Sequence, residues 1–410
     1  MNMAYTGINL ETVKSNNRSS ILKLLNERGA MSRKDIAQTL GLTPATVTLI
    51  CTELINAGML CEEGELKESP RAGRRKILVG INYSYRYVLS ICIEINHTYI
   101  TLSDLRGEHA HKRRLKTDNQ LPPLEFLHQV AIEALSLLQQ ADIPRALILG
   151  VGVSIPGPVD REKGISRLAY RIWTKPVDVC GCLRQYLDLP ILLDNNVNAF
   201  AKAELLFGGS RGKENILFMK WGPGVGSAIV VRDQLYESRF SKEGEMGHVT
   251  IEKNGKLCRC GRRGCLETRA NIHAIANQFS EACSPEDTPA LYDLVGGDVA
   301  LIQSRSIDWW FQAQDKGFWA VMDPIVDHVA RTLTNTITIL APDAVVLYGE
   351  VFRLPNVKER FLRRCKAYDP SYNEEYLTMS TLSGKIDFVG PLAVVANEMF
   401  FSAVGSAGTP

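Results

Sequence analysis

Gly244-Glu245-Met246-Gly247-His248, followed by Cys258-Arg259-Cys260-Gly261-Arg262-Arg263-Gly264-Cys265-Leu266-Glu267, gathers a histidine, three cysteines and two glutamates into one short stretch. One imidazole nitrogen and three thiolates suit tetrahedral zinc, with Zn–S bonds of about 2.3 Å. Four protein ligands, His248, Cys258, Cys260 and Cys265, leave no open position. Such a site is structural: it staples a loop too rich in glycine and arginine to hold its shape by packing, and it does not activate water. Ordinary thiols and a surface histidine are the plain alternative. Against it, the Cys-x-Cys-x4-Cys spacing with Gly261 and Gly264 inside has the local geometry of a metal knuckle. Glu245 and Glu267 bracket the cage, and a loop folded around zinc brings their carboxylates near each other, as a polar pocket or as two solvated side chains. Spacing alone does not separate those two.

Composition bounds the elements that must position this loop. At 410 residues and 45% hydrophobic content the chain is long enough for two or three domains with cores of their own. A net charge of +2 excludes little. No apolar run approaches a membrane span, and Met1 to Leu10 lacks the basic start and apolar core of a signal peptide, so a cytoplasmic protein without membrane contacts is expected. Ten cysteines in that compartment read as metal ligands and buried thiols rather than disulfides. Cys180-Gly181-Cys182 is the one other close pair and, with no third ligand nearby, reads as structural.

Residues 1–80 read as a DNA-binding head. Arg18 to Leu25 has helical spacing and ends at Gly29, which predicts a first helix. Ser32-Arg33-Lys34-Asp35 resembles a capping box before a short second helix that stops at Gly41. Thr43 caps a third, with Pro44 at its first position. Val47, Ile50, Cys51 and Leu54 fall on one buried face, which turns Thr46, Thr48, Leu49 and Thr52 outward. Two helices joined by a tight glycine-containing turn form the helix-turn-helix arrangement for the major groove. Ser69-Pro70-Arg71-Ala72-Gly73-Arg74-Arg75-Lys76 then supplies a basic hairpin suited to a wing on phosphates or in the minor groove. Arg33, Thr43, Ala45, Thr46, Thr48, Arg71, Arg74, Arg75 and Lys76 are the candidate DNA contacts. Residues 1–80 hold 11 Lys/Arg against 8 Asp/Glu, a small margin, so affinity should lean on two heads presented by a homodimer or homotetramer. A three-helix interaction module without DNA is the alternative, and it leaves the charge of the wing without a use.

The remainder alternates strands and helices, which implies an α/β fold. Tyr87–Ile93 and Tyr99–Leu102, the latter before a turn at Arg106-Gly107-Glu108, predict a hairpin. Leu124–Leu138 has helical spacing. Ala146–Val153 reads as a buried strand running into Ser154-Ile155-Pro156-Gly157-Pro158, and Ile191–Asn195 leads into a helix through Glu204 to Phe207. His97, at a strand end, reads as a hydrogen-bonded structural residue. Trp309, Trp310 and Trp319 lie in a helical stretch and read as core or interface packing.

The Gly-Glu-x-Gly-His and Cys-x-Cys-Gly-x-x-Gly-Cys-Leu-Glu motifs together resemble the signature of the ROK family, named for repressors, open reading frames and sugar kinases. The resemblance continues along nearly the whole chain: Arg33-Lys34-Asp35-Ile36-Ala37, Leu42-Thr43-Pro44-Ala45-Thr46-Val47-Thr48 and Gly73-Arg74-Arg75-Lys76 are similar to the heads of ROK repressors. It implies a winged helix-turn-helix at 1–80 followed by a two-lobed actin-like (ribonuclease H-like) sugar kinase fold. The small lobe would be 81–200, joined by a C-terminal helix at about 388–410, and the large lobe with the zinc loop 201–387. It implies that His248, Cys258, Cys260 and Cys265 bind zinc and that Glu245, His248 and Glu267 face a sugar in the cleft, with Pro156, Gly157, Asn195 and Asn196 as further sugar contacts.

The chain departs from the kinases of that family where chemistry would occur. Asn196 stands where the kinases carry a catalytic aspartate, and a carboxamide lacks the basicity to take a hydroxyl proton during attack on a γ-phosphate. Glu94-Ile95-Asn96-His97-Thr98 stands for Asp-x-Gly-Gly-Thr, losing both glycines of a phosphate-cradling hairpin. Gly222-Pro223-Gly224-Val225-Gly226 loses the hydroxyl of the second phosphate element, and Glu350 interrupts the glycine-rich adenosine loop after Gly349. The expected function is therefore that of a regulator, a repressor of carbohydrate-metabolism genes and not an enzyme. Its partners would be operator DNA and a sugar or sugar phosphate effector. Motion of the heads would pass through Ile77–Asn82. A ROK-type sugar kinase with an appended head, and a regulator held by a sugar-transport protein, are the alternatives.

Overall fold

The computed structural model describes residues 10–66, 76–108, 110–237, 243–372 and 375–402. The chain divides into two compact units, Met1–Phe207 with Lys385–Pro410, and Gly208–Gly384. Among the described residues no helix is long and apolar enough to cross a membrane.

The first unit opens with α1 (Leu10–Arg28), the two-residue strand β1 (Met31–Ser32), α2 (Arg33–Leu40) and α3 (Pro44–Asn56). Both predicted caps form: Ser32 accepts from the Asp35 amide and Thr43 from the Thr46 amide, each at 3.2 Å. The predicted face of α3, Val47, Ile50, Cys51 and Leu54, is buried. The first helix begins eight residues before Arg18, at Leu10; its extra turns are polar, and Lys14 within them pairs with Glu53 of α3 at 2.7 Å. Strands β2 (Leu60–Leu66) and β3 (Lys76–Ile81) pair antiparallel, with β1 on the other side of β3, as in a wing. The predicted wing tip, with Arg71, Arg74 and Arg75, lies outside the described residues.

Beyond the head, β4 (Tyr87–Ile93), β5 (His97–Asp104), β6 (His111–Lys116), β7 (Ile148–Ile155) and β11 (Ile191–Asn195) form a sheet in the order β11-β7-β4-β5-β6. The hairpin is β4 with β5, turning at Glu94–Asn96, whereas the predicted turn at Gly107 leads to β6, a charged edge strand without an apolar signal. Helix α4 (Pro123–Ala141) covers one face. The short strands β8 (Val159–Asp160), β9 (Ile165–Ser166) and β10 (Val177–Asp178) form a small antiparallel sheet before α5 (Val179–Arg184). Cys180 on α5 is buried and its thiol is pushed up to about 11 by that burial, the chemistry of a packed side chain. Helix α6 (Asn196–Phe207) follows β11 directly.

The second unit is a sheet in the order β14-β13-β12-β15-β16: β12 (Ile216–Trp221), β13 (Val225–Val231), β14 (Gln234–Leu235), β15 (Ala344–Tyr348) and β16 (Leu377–Met379). Helices α7 (Glu267–Ala270), α8 (Ile272–Ala282), α9 (Pro289–Val295), α10 (Ala300–Ser304), α11 (Ile307–Trp310), α12 (Lys316–Leu340) and α13 (Val357–Tyr368) pack around one apolar core. Trp310 and Trp319 are buried in it and Trp309 packs against it, as expected. At the C-terminus, α14 (Val389–Val395) continues as a π-helical turn over Ala396–Phe401 and belongs to the first unit.

Candidate functional site

The second unit builds the metal loop on β13. The Gly244 carbonyl accepts from the Ser227 amide at 3.0 Å and the Ser227 hydroxyl at 2.6 Å. At Gly247 a Cβ would lie 2.0 Å from the Val225 carbonyl oxygen, so only glycine lets the backbone approach this closely. These two contacts hold the short turn Met246–His248 against the sheet. Farther along, Thr250 pairs with Cys265 and Leu257 with Arg263 as isolated bridges, closing the knuckle. His248 Nδ1 lies 3.5 Å from Cys258 Sγ, and Cys260 Sγ 3.6 Å from Cys265 Sγ. All four ligand atoms fall within 4.8 Å of one another. Four ligands about 2.3 Å from a tetrahedral ion would sit about 3.7 Å apart, so the cage is the right size for one soft metal ion. Burial, and then the charge of Arg262, hold the His248 imidazole below its ordinary value, which keeps it neutral as a ligand must be.

The other nitrogen of the same ring faces acid. His248 Nε2 lies 3.2 Å from Glu245 Oε2 and 3.7 Å from Glu267 Oε2. Metal on Nδ1 leaves the proton on Nε2, so one ring would join the cage to a surface with an N–H donor and two carboxylate acceptors. Burial, followed by the charge of Glu245, pushes the Glu267 carboxyl up to about 7. Vicinal hydroxyls, which donate and accept at once, complement such a set. The structure thus brings Glu245, His248 and Glu267 together.

In the first unit the C-terminal ends of β4, β7 and β11 share one sheet edge, with Asn195 beside Ile155 and Cys92 beside Ser154. In an open α/β sheet this edge is where ligands bind. Asn195 Nδ2 donates to the Gly157 carbonyl at 2.8 Å, and its Oδ1 accepts from the Val197 amide at 2.8 Å. Asn195 therefore caps α6 and holds the Pro156–Gly157 turn. Gly157 has φ 103°, with Leu168 O only 2.3 Å from where a Cβ would stand. Asn196 Nδ2 donates to Glu94 Oε1 at 2.9 Å. Behind this edge sits a charge network that the sequence reading missed: Lys202 Nζ meets Asp194 at 2.7 Å, and Arg161 reaches Asp194 at 3.4 Å and pairs with Glu398 on the π-helical turn. Its one sequence signal is a lysine inside the apolar run Ala199-Phe200-Ala201-Lys202-Ala203.

One backbone amide in each of the two phosphate-element stretches is engaged in a tight turn. The Glu94 amide donates to the His97 carbonyl at 3.0 Å, making His97 part of a tight turn. The Gly222 amide donates to the Gly224 carbonyl at 3.0 Å, and Pro223 between them has no N–H.

In the head, Arg33 pairs with Glu62 at 3.0 Å, Thr43 is spent as a cap, Ala45 and Thr48 are exposed, and Lys76 opens β3. A second contact missed by sequence reading joins head to body within the first unit. Asn26 of α1, buried, donates to the Leu206 carbonyl at the end of α6 at 2.6 Å and accepts from the Tyr83 hydroxyl at 2.9 Å. A polar residue beside Leu22 and Leu25 on a buried face was the available signal.

Residues 90–392 match the ROK family model and residues 15–60 a winged helix-turn-helix DNA-binding model. The xylose repressor of Bacillus subtilis (strain 168) is 26% identical over 83% of this chain and 83% of its own length. The DNA-binding transcriptional repressor Mlc of Escherichia coli (strain K12) is 25% identical over 95% of both. Among solved structures, a ROK family transcriptional regulator described as a homolog of the E. coli MLC protein superposes with a TM-score of 0.75 at 22% identity, covering 95% of this chain and 97% of its own. That likeness carries the fold.

Proposed function

The chain belongs to the ROK family, and we propose on that premise that it is a cytoplasmic, sugar-responsive repressor of carbohydrate-metabolism genes. The observation that carries this reading is a winged helix-turn-helix head on a ROK body that keeps the Glu245, His248 and Glu267 set on its metal loop. The metal is zinc, held by His248, Cys258, Cys260 and Cys265, and its role is to fix the loop. The effector is a sugar or sugar phosphate contacted by Glu245, His248 and Glu267 and by Pro156, Gly157, Asn195 and Asn196. Arg33, Thr43, Ala45, Thr46, Thr48, Arg71, Arg74, Arg75 and Lys76 serve operator DNA, with the heads paired by a homodimer or homotetramer. The divisions at about residues 80 and 200 separate head, first lobe and second lobe.

Asn196 supports loss of phosphoryl transfer, because its carboxamide cannot act as base and is already hydrogen-bonded to Glu94. An effector shifts DNA affinity only if it binds the competent and incompetent states unequally. Helix α6 is suited to carry that difference: Asn196 opens it, and the Leu206 carbonyl near its end takes the amide of Asn26 in the head.

Fluorescence anisotropy of the full-length protein on the DNA upstream of its own gene, at fixed salt, with a panel of sugars and sugar phosphates, tests the proposal. Release by one compound is expected. Tight binding that no compound disturbs would move the signal to a sugar-transport protein, and steady ATP turnover over common hexoses would replace the regulator with a kinase.

A further inference from the structure

We propose that α3 reads thymine through its C5 methyl group, with Leu49 as the specificity-determining residue and Ala45 and the Thr48 methyl beside it. This rests on the reading of the head as a DNA-binding module. In a helix-turn-helix the N-terminal part of the second helix meets the base edges. Guanine is read there by Arg or Lys and adenine by Asn or Gln. Pro44 to Cys51 contains none of these; the one amide of the helix, Asn56, is its last residue.

The hydroxyls of Thr43, Thr46 and Thr48 are engaged in local hydrogen bonds. Thr43 Oγ1 and Thr46 Oγ1 share a hydrogen bond at 2.8 Å, and Thr43 Oγ1 also accepts from the Thr46 amide. Thr48 donates its proton to the Pro44 carbonyl at 2.8 Å, which leaves its methyl outward. Three cations of the head are engaged with carboxylates, Lys14 and Arg18 with Glu53 of this helix and Arg33 with Glu62. The large hydrophobic side chain the helix offers outward is Leu49, 59% exposed, while Val47, Ile50, Cys51 and Leu54 are buried. In the major groove the apolar group available to meet it is the thymine methyl.

The test selects duplexes from a random pool with the full-length protein and then compares the recovered site with the same duplex carrying deoxyuridine for thymidine, which removes only the methyl. The expected site is rich in thymine at adjoining half-site positions. Each lost methyl contact should weaken binding by about fourfold, the worth of one buried methylene-sized group. Leu49→Ala should bind the thymine duplex more weakly and bring the thymine-to-uracil ratio towards one, with an unchanged melting temperature because the side chain is exposed. Equal affinity for both duplexes, or a Leu49→Ala variant that keeps the parental ratio, would overturn this inference while leaving the head a specific DNA binder. A selection that recovers no preferred sequence would overturn it together with the regulator reading.

Discussion

In the second unit Glu245 and Glu267 lie 3.2 and 3.7 Å from one imidazole nitrogen. In the first, Asp194 meets an ammonium at 2.7 Å and Glu94 takes an amide at 2.9 Å. In the first pair two acids lie against one ring, and burial, followed by the charge of Glu245, pushes Glu267 up to about 7. Asp194 instead faces two cations, Lys202 and Arg161, and Glu94 faces an amide donor. Crowded, mutually repelling acids favour a ligand that donates to them, whereas acids matched by cations suit a scaffold. Crowded acids on the loop thus stand against acids matched by cations in the network under Asn195.

Removing the cage should have the largest effect. Cys265→Ser takes away a fully buried thiol of the cage, and with zinc held there as proposed its loss should cost more than about 4 kcal/mol. Elemental analysis should show about one metal ion per parental chain and none in the variant, and thermal melting should show the destabilisation. Lys202→Met comes next. It leaves Asp194, 0% exposed, with Arg161 as its remaining cation at 3.4 Å, and should cost about 3 kcal/mol, the low end for breaking a buried pair. A melting temperature equal to the parent's would deny the network its scaffold role.

Glu267→Gln sharpens the other side of the comparison. Fold and DNA affinity should hold, while the effector concentration needed for release rises about tenfold or more, as expected for a lost charge-assisted hydrogen bond. Asn196→Asp tests whether the matched side can be turned back to chemistry. A second carboxylate would face Glu94 in place of a donor, costing about 1–2 kcal/mol, and no ATP turnover should appear, since the Glu94 and Gly222 amides remain engaged.

The smallest effect belongs to the head. Hydrogen bonds from Lys14 and then Arg18 hold the Glu53 carboxyl below its ordinary 4.5. A depressed carboxylate contributes stability above its unfolded value, which is lost as pH falls through the lower folded value. The pairs are partly exposed, so Glu53→Gln should cost under about 1 kcal/mol at neutral pH, and the two proteins should converge in acid.

What the sequence determined by itself was local chemistry. The caps at Ser32 and Thr43 were legible because their partners lie three residues away, and the cage because thiol and imidazole spacing is its own signal. The polar start of α1 and the charged strand β6 carried no apolar periodicity and were not. Tertiary structure decided the rest: Asn26 meets Leu206 across 180 positions, Asn196 meets Glu94 across 102 and Arg161 meets Glu398 across 237. Those partners are chosen by the strand order β11-β7-β4 and by the packing of α6 and the C-terminal turn around it. A single chain records which groups are available to hydrogen-bond, but which of them remain free for a ligand depends on distances that form only once the sheet has closed.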